Sequence, residues 1–217
     1  MSESQKLVLL VSSGAAGLLI GSFLNVCIFR LPRHCMSIVK PRSRCTKCLH
    51  LIVWYDNLPV VSWLLLGGKC RSCKEPISPR YAMIELLTGA LYFYAGWRVL
   101  FGTREPGFGE AALFALYAWF LGALIVCTFI DLDFRILPDE ITVSGVVIGV
   151  LFSAAFPALP PLKGSLLDFV GLLLRVAGVD RVPALPGLLG NPHVTGLLDS
   201  MFGAGVGWGT IWGVGVL

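Results

Sequence analysis

Long runs of apolar residues dominate the chain, and polar residues gather in the segments between them. The apolar runs lie near 7–29, 81–101, 111–130, 140–158 and 197–217. At about 1.5 Å per residue, a helix of about 20 residues crosses the hydrocarbon core of a bilayer, which is about 30 Å thick. The pattern therefore predicts an all-α polytopic membrane protein with about five transmembrane helices.

The composition agrees with a lipid environment, since 56% of the residues are hydrophobic and only 14% are charged. The first apolar run is too long for a cleaved signal peptide. It also ends at Asn25 and Arg30 rather than at a small-residue cleavage site. We therefore expect the first run to remain as a membrane helix.

Basic residues concentrate between the first two apolar runs and predict the orientation of the chain. Of the 17 lysines and arginines, ten fall there: Arg30, Arg33, Lys40, Arg42, Arg44, Lys47, Lys69, Arg71, Lys74 and Arg80. The positive-inside rule places this loop in the cytoplasm and the N-terminus in the periplasm. Anionic lipid headgroups explain the charge better than nucleic acid does, because no aromatic stacking platform accompanies it.

Two Cys-x-x-Cys pairs lie inside this basic loop. Cys45 and Cys48 form the first, and Cys70 and Cys73 form the second after 21 intervening residues. Two such pairs, brought together by a hairpin, supply four thiolates to one tetrahedral ion, so the spacing predicts a zinc-ribbon-like insert that binds Zn²⁺. Redox pairs and disulfides are alternatives, but neither pair lies in a βαβ pattern and the loop is predicted to be cytosolic.

Acidic residues cluster where the third predicted helix ends and the fourth begins. Asp131 and Asp133 are two positions apart, so on a continuous helix they point to nearly opposite sides and cannot serve one site. Asp139 and Glu140 follow Pro138, where they favour a helix start. From the residues alone, Asp131 is either a functional acid at membrane depth or an interfacial residue that ends the apolar run.

A serine protease is a weaker interpretation. Ser144 and His193 are the candidate nucleophile and base, but the predicted topology puts them near opposite faces of the membrane, where they cannot form a catalytic pair.

Several ordered motifs resemble the bacterial type IV prepilin peptidases. Besides the four cysteines, they are residues 21–32 (GSFLNVCIFRLP), 54–59 (WYDNLP), 81–89 (YAMIELLTG) and 131–138 (DLDFRILP). The resemblance implies an aspartic endopeptidase of the bacterial inner membrane that removes the basic leader of type IV prepilins and type II secretion pseudopilins. It also implies N-methylation of the new N-terminus with S-adenosylmethionine. Asp131 then corresponds to the first catalytic aspartate, and Asp133 to a secondary acidic position.

In that family the second catalytic aspartate lies in a Gly-x-Gly-Asp motif, and residues 1–217 contain no such motif. We therefore expect a C-terminally truncated chain with little or no proteolytic activity of its own. No Gly-x-Gly-x-x-Gly loop accounts for binding of S-adenosylmethionine, so methyl transfer is implied by the resemblance alone.

The predicted organisation has three parts: a first transmembrane helix at 1–29, a cytoplasmic zinc-binding loop at 30–80, and a transmembrane aspartic peptidase domain at 81–217 that is incomplete at its C-terminus. Two functions remain open. One is the leader peptidase, with prepilins or pseudopilins as substrates. The other is a non-enzymatic zinc-bearing membrane module that binds a pilus or secretion component.

Overall fold

The structure is a computed structural model, and it describes residues 2–33, 37–39, 42–101, 107–156, 193–194, 197 and 200–201. The chain divides into two compact units, Met1–Ile141 and Thr142–Leu217. The predicted loop at 157–196 and the predicted fifth helix at 197–217 lie almost entirely outside the described residues.

The described helices are α1 (Glu3–Arg30), α2 (Val61–Leu65), α3 (Pro79–Gly96), α4 (Phe108–Phe134) and α5 (Asp139–Ala155). A short 3₁₀ turn at Leu31–Arg33 follows α1, a second at Trp54–Asn57 lies between the two Cys-x-x-Cys pairs, and a π-helical turn at Trp97–Phe101 extends α3. The described chain is thus mainly helical, as the apolar runs predicted.

Two of the described helical segments, Glu3–Arg33 and Phe108–Phe134, are long and apolar enough to cross a membrane by length and composition. The spans at 81–101, 140–158 and 197–217 remain predictions from the sequence. Helix α4 continues three residues past Asp131, so Asp131 and Asp133 lie in its last turn rather than after its end.

Glycines allow α1 and α3 to pack closely in the first unit. A Cβ atom built on Gly17 would lie 2.7 Å from the Tyr92 Cβ, and one on Gly21 would lie 2.7 Å from the Glu85 Cα. Close approach through small residues is the usual means of association between membrane helices. The Gly17-x-x-x-Gly21 spacing therefore serves packing within the chain.

Helix α4 completes a three-helix core with α1 and α3. The buried side chains of this core come from all three helices: Leu24, Cys27, Ile28, Ile84, Ile125, Val126 and Ile130. The Tyr92 hydroxyl of α3 donates to the Ala118 carbonyl of α4 at 2.6 Å, and the Asn25 amide of α1 donates to the Tyr81 carbonyl at 3.1 Å. Cys27 is a packing residue of this core.

In the second unit, α5 provides most of the described residues. The Nδ1 atom of His193 lies 2.8 Å from the carbonyl oxygen of Ala154. Ala154 is ten positions, or about 15 Å, along a helix from Ser144. This separation argues against a serine–histidine pair.

Candidate functional site

The two Cys-x-x-Cys pairs form two turns of the same design. In the first, the Cys45 N–H donates to the His50 carbonyl at 3.0 Å; in the second, the Cys70 N–H donates to the Glu75 carbonyl at 2.8 Å. Isolated antiparallel bridges close the turns, Arg44 with Leu51 and Lys69 with Pro76. The chain therefore contains a duplicated cysteine turn.

Each turn also needs one residue in the left-handed region, four positions after its first cysteine. Leu49 has a φ of 58° and Lys74 a φ of 59°. Side chains with a Cβ atom are disfavoured there, whereas glycine is not. The repeat of RCTKCLHL (44–51) in KCRSCKEP (69–76) is the sequence signal that could have revealed this shared backbone geometry.

The four sulfur atoms converge on one point. The Sγ atoms of Cys45, Cys48, Cys70 and Cys73 all lie within 4.8 Å of one another, and those of Cys45 and Cys73 are 3.8 Å apart. A tetrahedral zinc–thiolate site with bonds of about 2.3 Å has sulfur–sulfur edges of about 3.8 Å. The predicted cysteine cluster is thus confirmed as a group able to hold a metal ion.

The thiols of this cluster differ in pKa. Hydrogen bonds from the backbone N–H groups of Cys48 and Lys47 lower the pKa of the Cys45 thiol to about 6. The Glu75 backbone N–H lowers the pKa of Cys73, but desolvation and hydrogen bonds to the other thiols outweigh it and raise that pKa to about 11. A metal cation that binds all four sulfurs must displace the remaining protons.

Ion pairs connect the second cysteine turn to the rest of the loop. The Arg71 guanidinium donates from Nε to Asp56 Oδ2 at 2.8 Å and from Nη2 to Asp56 Oδ1 at 2.6 Å. This bidentate pair lowers the pKa of the Asp56 carboxyl. Lys47 and Glu75 join the two turns at 3.6 Å. The cluster is therefore fixed to the 3₁₀ turn at Trp54–Asn57.

One further hydrogen bond closes the loop just before α3, and another attaches the loop to α3. The Trp63 indole N–H donates to the Ile77 carbonyl at 3.1 Å, just before α3 begins. The Val60 N–H donates to the Glu85 carboxylate at 2.7 Å. Glu85, an acid inside the second predicted span, is thus hydrogen-bonded to the cysteine loop.

The two candidate aspartates have different surroundings. Arg80 binds Asp133 through two parallel hydrogen bonds of 2.8 Å, and its Nη2 atom also donates to the Phe129 carbonyl at 3.2 Å. Arg80 therefore joins the first turn of α3 to the last turn of α4. The sequence does not indicate this role of Arg80, because the two residues of the ion pair are 53 positions apart. By its position, Arg80 is simply one of the basic residues of the loop.

Asp131 is exposed and does not share this environment. Within the described part of the chain, its carboxylate has no hydrogen-bond or ion-pair partner, while its backbone carbonyl accepts the Arg135 N–H at 2.8 Å. Ile130, the preceding residue, is completely buried in the core. The structure therefore separates the two acids: Asp133 is held against α3, and Asp131 faces away from the three-helix core.

A small cavity lies beside the ion pair, with a volume of about 190 Å³. Asn25, Phe29 and Ile84 form part of its wall, and Arg33, Arg80 and Asp133 supply its charges. The cavity lies where the C-terminal ends of α1 and α4 meet the start of α3.

The chain is similar in sequence to several known proteins. The sequence model described as "Bacterial Peptidase A24 N-terminal domain" matches residues 15–99, which contain the C-terminal half of α1, both cysteine turns and all of α3. A protein of Aeromonas salmonicida, "Prepilin leader peptidase/N-methyltransferase", is 33% identical to this chain; the match covers 92% of the chain and 78% of the relative. The chain belongs to the prepilin leader peptidase family.

Other members of the family show higher identity over shorter regions. The prepilin leader peptidase/N-methyltransferase of Myxococcus xanthus is 45% identical over 65% of this chain and 38% of its own length. That of Aeromonas hydrophila is 39% identical over 63% of this chain and 52% of its own length. The chain thus spans about half the length or less of these two curated relatives. No solved structure matches it.

Proposed function

We propose that this chain belongs to a membrane-bound leader peptidase that cleaves the basic leader peptide of type IV prepilins or type II secretion pseudopilins. The observation that carries the proposal is the combination of family membership with an exposed aspartate, Asp131, in the last turn of α4 and a four-cysteine cluster in the loop between α1 and α3. The relatives are named for leader cleavage and N-methyl transfer.

Asp131 is proposed to be one of two catalytic carboxylates. In an aspartic peptidase, mutual repulsion keeps one carboxyl protonated while the other is ionised. The ionised group takes a proton from water, and the protonated group polarises the scissile carbonyl. Asp131 is free to approach a substrate, whereas Asp133 is occupied by Arg80 at two oxygens. We therefore assign Asp133 to positioning of the last turn of α4.

Zn²⁺ is the metal proposed for the cysteine cluster. Four thiolates at tetrahedral spacing close the coordination shell, so the ion would have a structural role and would not activate water. Cys45, Cys48, Cys70 and Cys73 would hold it. Bound there, it would fix both cysteine turns, and the Arg71–Asp56 pair would transmit that order to the segment that contacts α3.

The proposed location is the bacterial inner membrane, with the N-terminus in the periplasm and the cysteine loop in the cytoplasm. The high basic charge of the loop supports this orientation. The contacts of Asn25 with Tyr81 and of Arg80 with Asp133 bring the end of α1, the start of α3 and the end of α4 to the loop side, as alternating spans require.

Methyl transfer from S-adenosylmethionine is proposed from the relatives' names alone. The described residues provide no site whose shape or donors identify an adenosyl group. No residue is therefore assigned to this step.

The peptidase proposal is tested in a chimera in which this chain replaces the aligned region of the Aeromonas salmonicida relative. The host lacks its own leader peptidase and expresses a type IV prepilin. We expect Asp131→Asn to abolish leader removal and Asp133→Asn to retain it, with both variants inserted in the membrane. Cleavage by the Asp131→Asn variant would rule out Asp131 as a catalytic carboxylate. Failure of the unsubstituted chimera to cleave the leader would instead favour the non-enzymatic, metal-bearing membrane module.

The metal proposal is tested by native mass spectrometry of the purified chain. One zinc ion per chain is expected. Cys45→Ser and Cys70→Ser should each lower the zinc content, whereas Cys27→Ser, which changes a thiol buried in the helix core, should leave it unchanged. Equal zinc content in all three variants would place the metal elsewhere.

A further inference from the structure

We propose that residues 54–66 insert into the lipid leaflet on the side of the cysteine loop and hold the two cysteine turns against the membrane surface. This interfacial segment (54–66) contains the 3₁₀ turn at Trp54–Asn57 and the short helix α2. The proposal concerns contact with lipid and does not depend on the leader peptidase activity.

The depth of the interfacial segment is set by its contact with α3. Arg80 and Asp133 pair at the end of the apolar stretch of α4 and mark the charged boundary of the helix core. Glu85 lies five residues further along α3, which is about 7.5 Å deeper at the helical rise. Because the Val60 N–H donates to Glu85 at 2.7 Å, the segment returns to that depth.

The hydrogen bond of Val60 satisfies a requirement of such a position. A backbone N–H inside the membrane has no water to bind. Leaving it unpaired costs on the order of several kcal/mol, as it does for other buried polar groups. Val60 also has a φ of 61°, which is unfavourable for a β-branched residue. The Glu85 carboxylate, only 9% exposed, accepts this N–H. A buried acid and a strained valine are both explained if the loop is held inside the leaflet boundary.

The side of α2 that faces away from the protein is apolar. Val61, Leu64 and Leu65 are 52%, 64% and 82% exposed, and their spacing places them on one face of the helix. Leu58 and Trp54, which are 41% and 72% exposed, precede them in the same segment. On the opposite side, the ring of Trp63 packs against Gly68 and its N–H binds the Ile77 carbonyl. An apolar face of this kind inserts about 5–10 Å into the headgroup and acyl boundary.

The charge around the segment favours lipid as the partner. Lys47, Lys69, Arg71 and Lys74 lie in the two cysteine turns, and all are exposed. Because Lys47 pairs with Glu75 and Arg71 with Asp56, the excess positive charge of the turns comes from Lys69 and Lys74. Basic groups near a membrane surface each gain about 1 kcal/mol from anionic headgroups. The apolar side chains match the acyl layer of a leaflet, and the basic groups match its anionic headgroups. A protein partner in water would not offer these two layers side by side.

The test places an environment-sensitive fluorescent amino acid at Leu65 of the full chain in nanodiscs that contain phosphatidylglycerol. A matched label at Ser72, an exposed residue of the second cysteine turn, is the control. We expect lipids with brominated acyl chains to quench the Leu65 label several-fold more than the Ser72 label, and aqueous iodide to show the opposite order. Equal access of iodide to both labels would overturn the proposal. So would a Leu65 label that neither quencher reaches, because protein would then cover it.

The role of Glu85 is tested with the same label. Glu85→Gln keeps an acceptor for the Val60 N–H, and Glu85→Leu removes it. Quenching of the Leu65 label by brominated lipid should persist in the first variant and fall at least twofold in the second. Metal content is measured in each variant to show that the cysteine turns still fold. Undiminished quenching in a metal-loaded Glu85→Leu variant would contradict the anchoring role of Glu85.

Discussion

The contact between α1 and α3 makes a quantitative prediction at Gly17. A Cβ atom at this position would lie 2.7 Å from the Tyr92 Cβ, 2.8 Å from the Thr88 carbonyl oxygen and 2.9 Å from the Gly89 Cα. Two of these three neighbours are backbone atoms, which cannot turn aside as a side chain can. In the Gly17→Ala variant, the helices must therefore separate by about 1 Å to restore ordinary contact distances.

The expected cost combines two opposing effects. Alanine in place of glycine favours a helix by about 0.5–1 kcal/mol, whereas overpacking of a close contact costs about 1–3 kcal/mol. The net expectation for Gly17→Ala is a loss of about 1–2 kcal/mol in the free energy of unfolding. Gly14→Ala is the matched control, because its Cβ would meet Phe93 at 3.4 Å, which is near an ordinary contact. We expect this variant to be neutral or slightly stabilised.

The assay is reversible unfolding in dodecylmaltoside micelles with increasing sodium dodecyl sulfate, followed by circular dichroism. Both variants and the parent chain are compared in one detergent series. If Gly17→Ala proves as stable as Gly14→Ala, the close crossing of α1 and α3 is not present in solution and the reasoning is refuted.

Three further predictions concern the loop and its link to α4. Leu49→Gly and Lys74→Gly should each raise the free energy of unfolding of the metal-loaded chain by about 0.5–1 kcal/mol, and with it the melting temperature, while Ser72→Gly should raise neither. A double-mutant cycle of Arg80→Met and Asp133→Asn should give a coupling of about 0.5–1 kcal/mol, because each partner of the pair is one-third exposed; zero coupling would remove its structural role. Carboxyl NMR should show the pKa of Asp56 below its ordinary value and restored by Arg71→Met. The stability from this pair is therefore present above about pH 4 and lost as the pH falls through the lowered pKa.

The sequence was sufficient where local pattern determines structure. The apolar runs predicted α1 and α4, because a long apolar segment has no alternative to helical hydrogen bonding in lipid. The Cys-x-x-Cys spacing predicted the cysteine cluster, because the geometry of a four-thiolate site restricts its ligands to a few spacings. Asp131 and Asp133 point to different sides because each residue of a helix is rotated by about 100° from the one before it, and α4 continues through both positions.

The contacts between distant segments could not be predicted from those patterns. Arg80 was one of ten basic residues in a loop, and nothing in its neighbours indicates that its partner is Asp133. The bond from Val60 to Glu85 depends on the path of a loop whose residues have no helical or strand periodicity. Pairing of this kind is fixed by tertiary packing, which a single sequence does not specify.

The rate of leader cleavage by the two aspartate variants tests the central claim most directly. With purified chimera, prepilin substrate and one lipid mixture, Asp131→Asn should lose about a thousandfold or more in rate, as expected when a general acid–base group is removed from a carboxylate pair. Asp133→Asn should stay within about tenfold of the parent, since it changes only an ion pair. The reverse order, or equal rates for the two variants, would contradict the assignment of Asp131 to the chemistry.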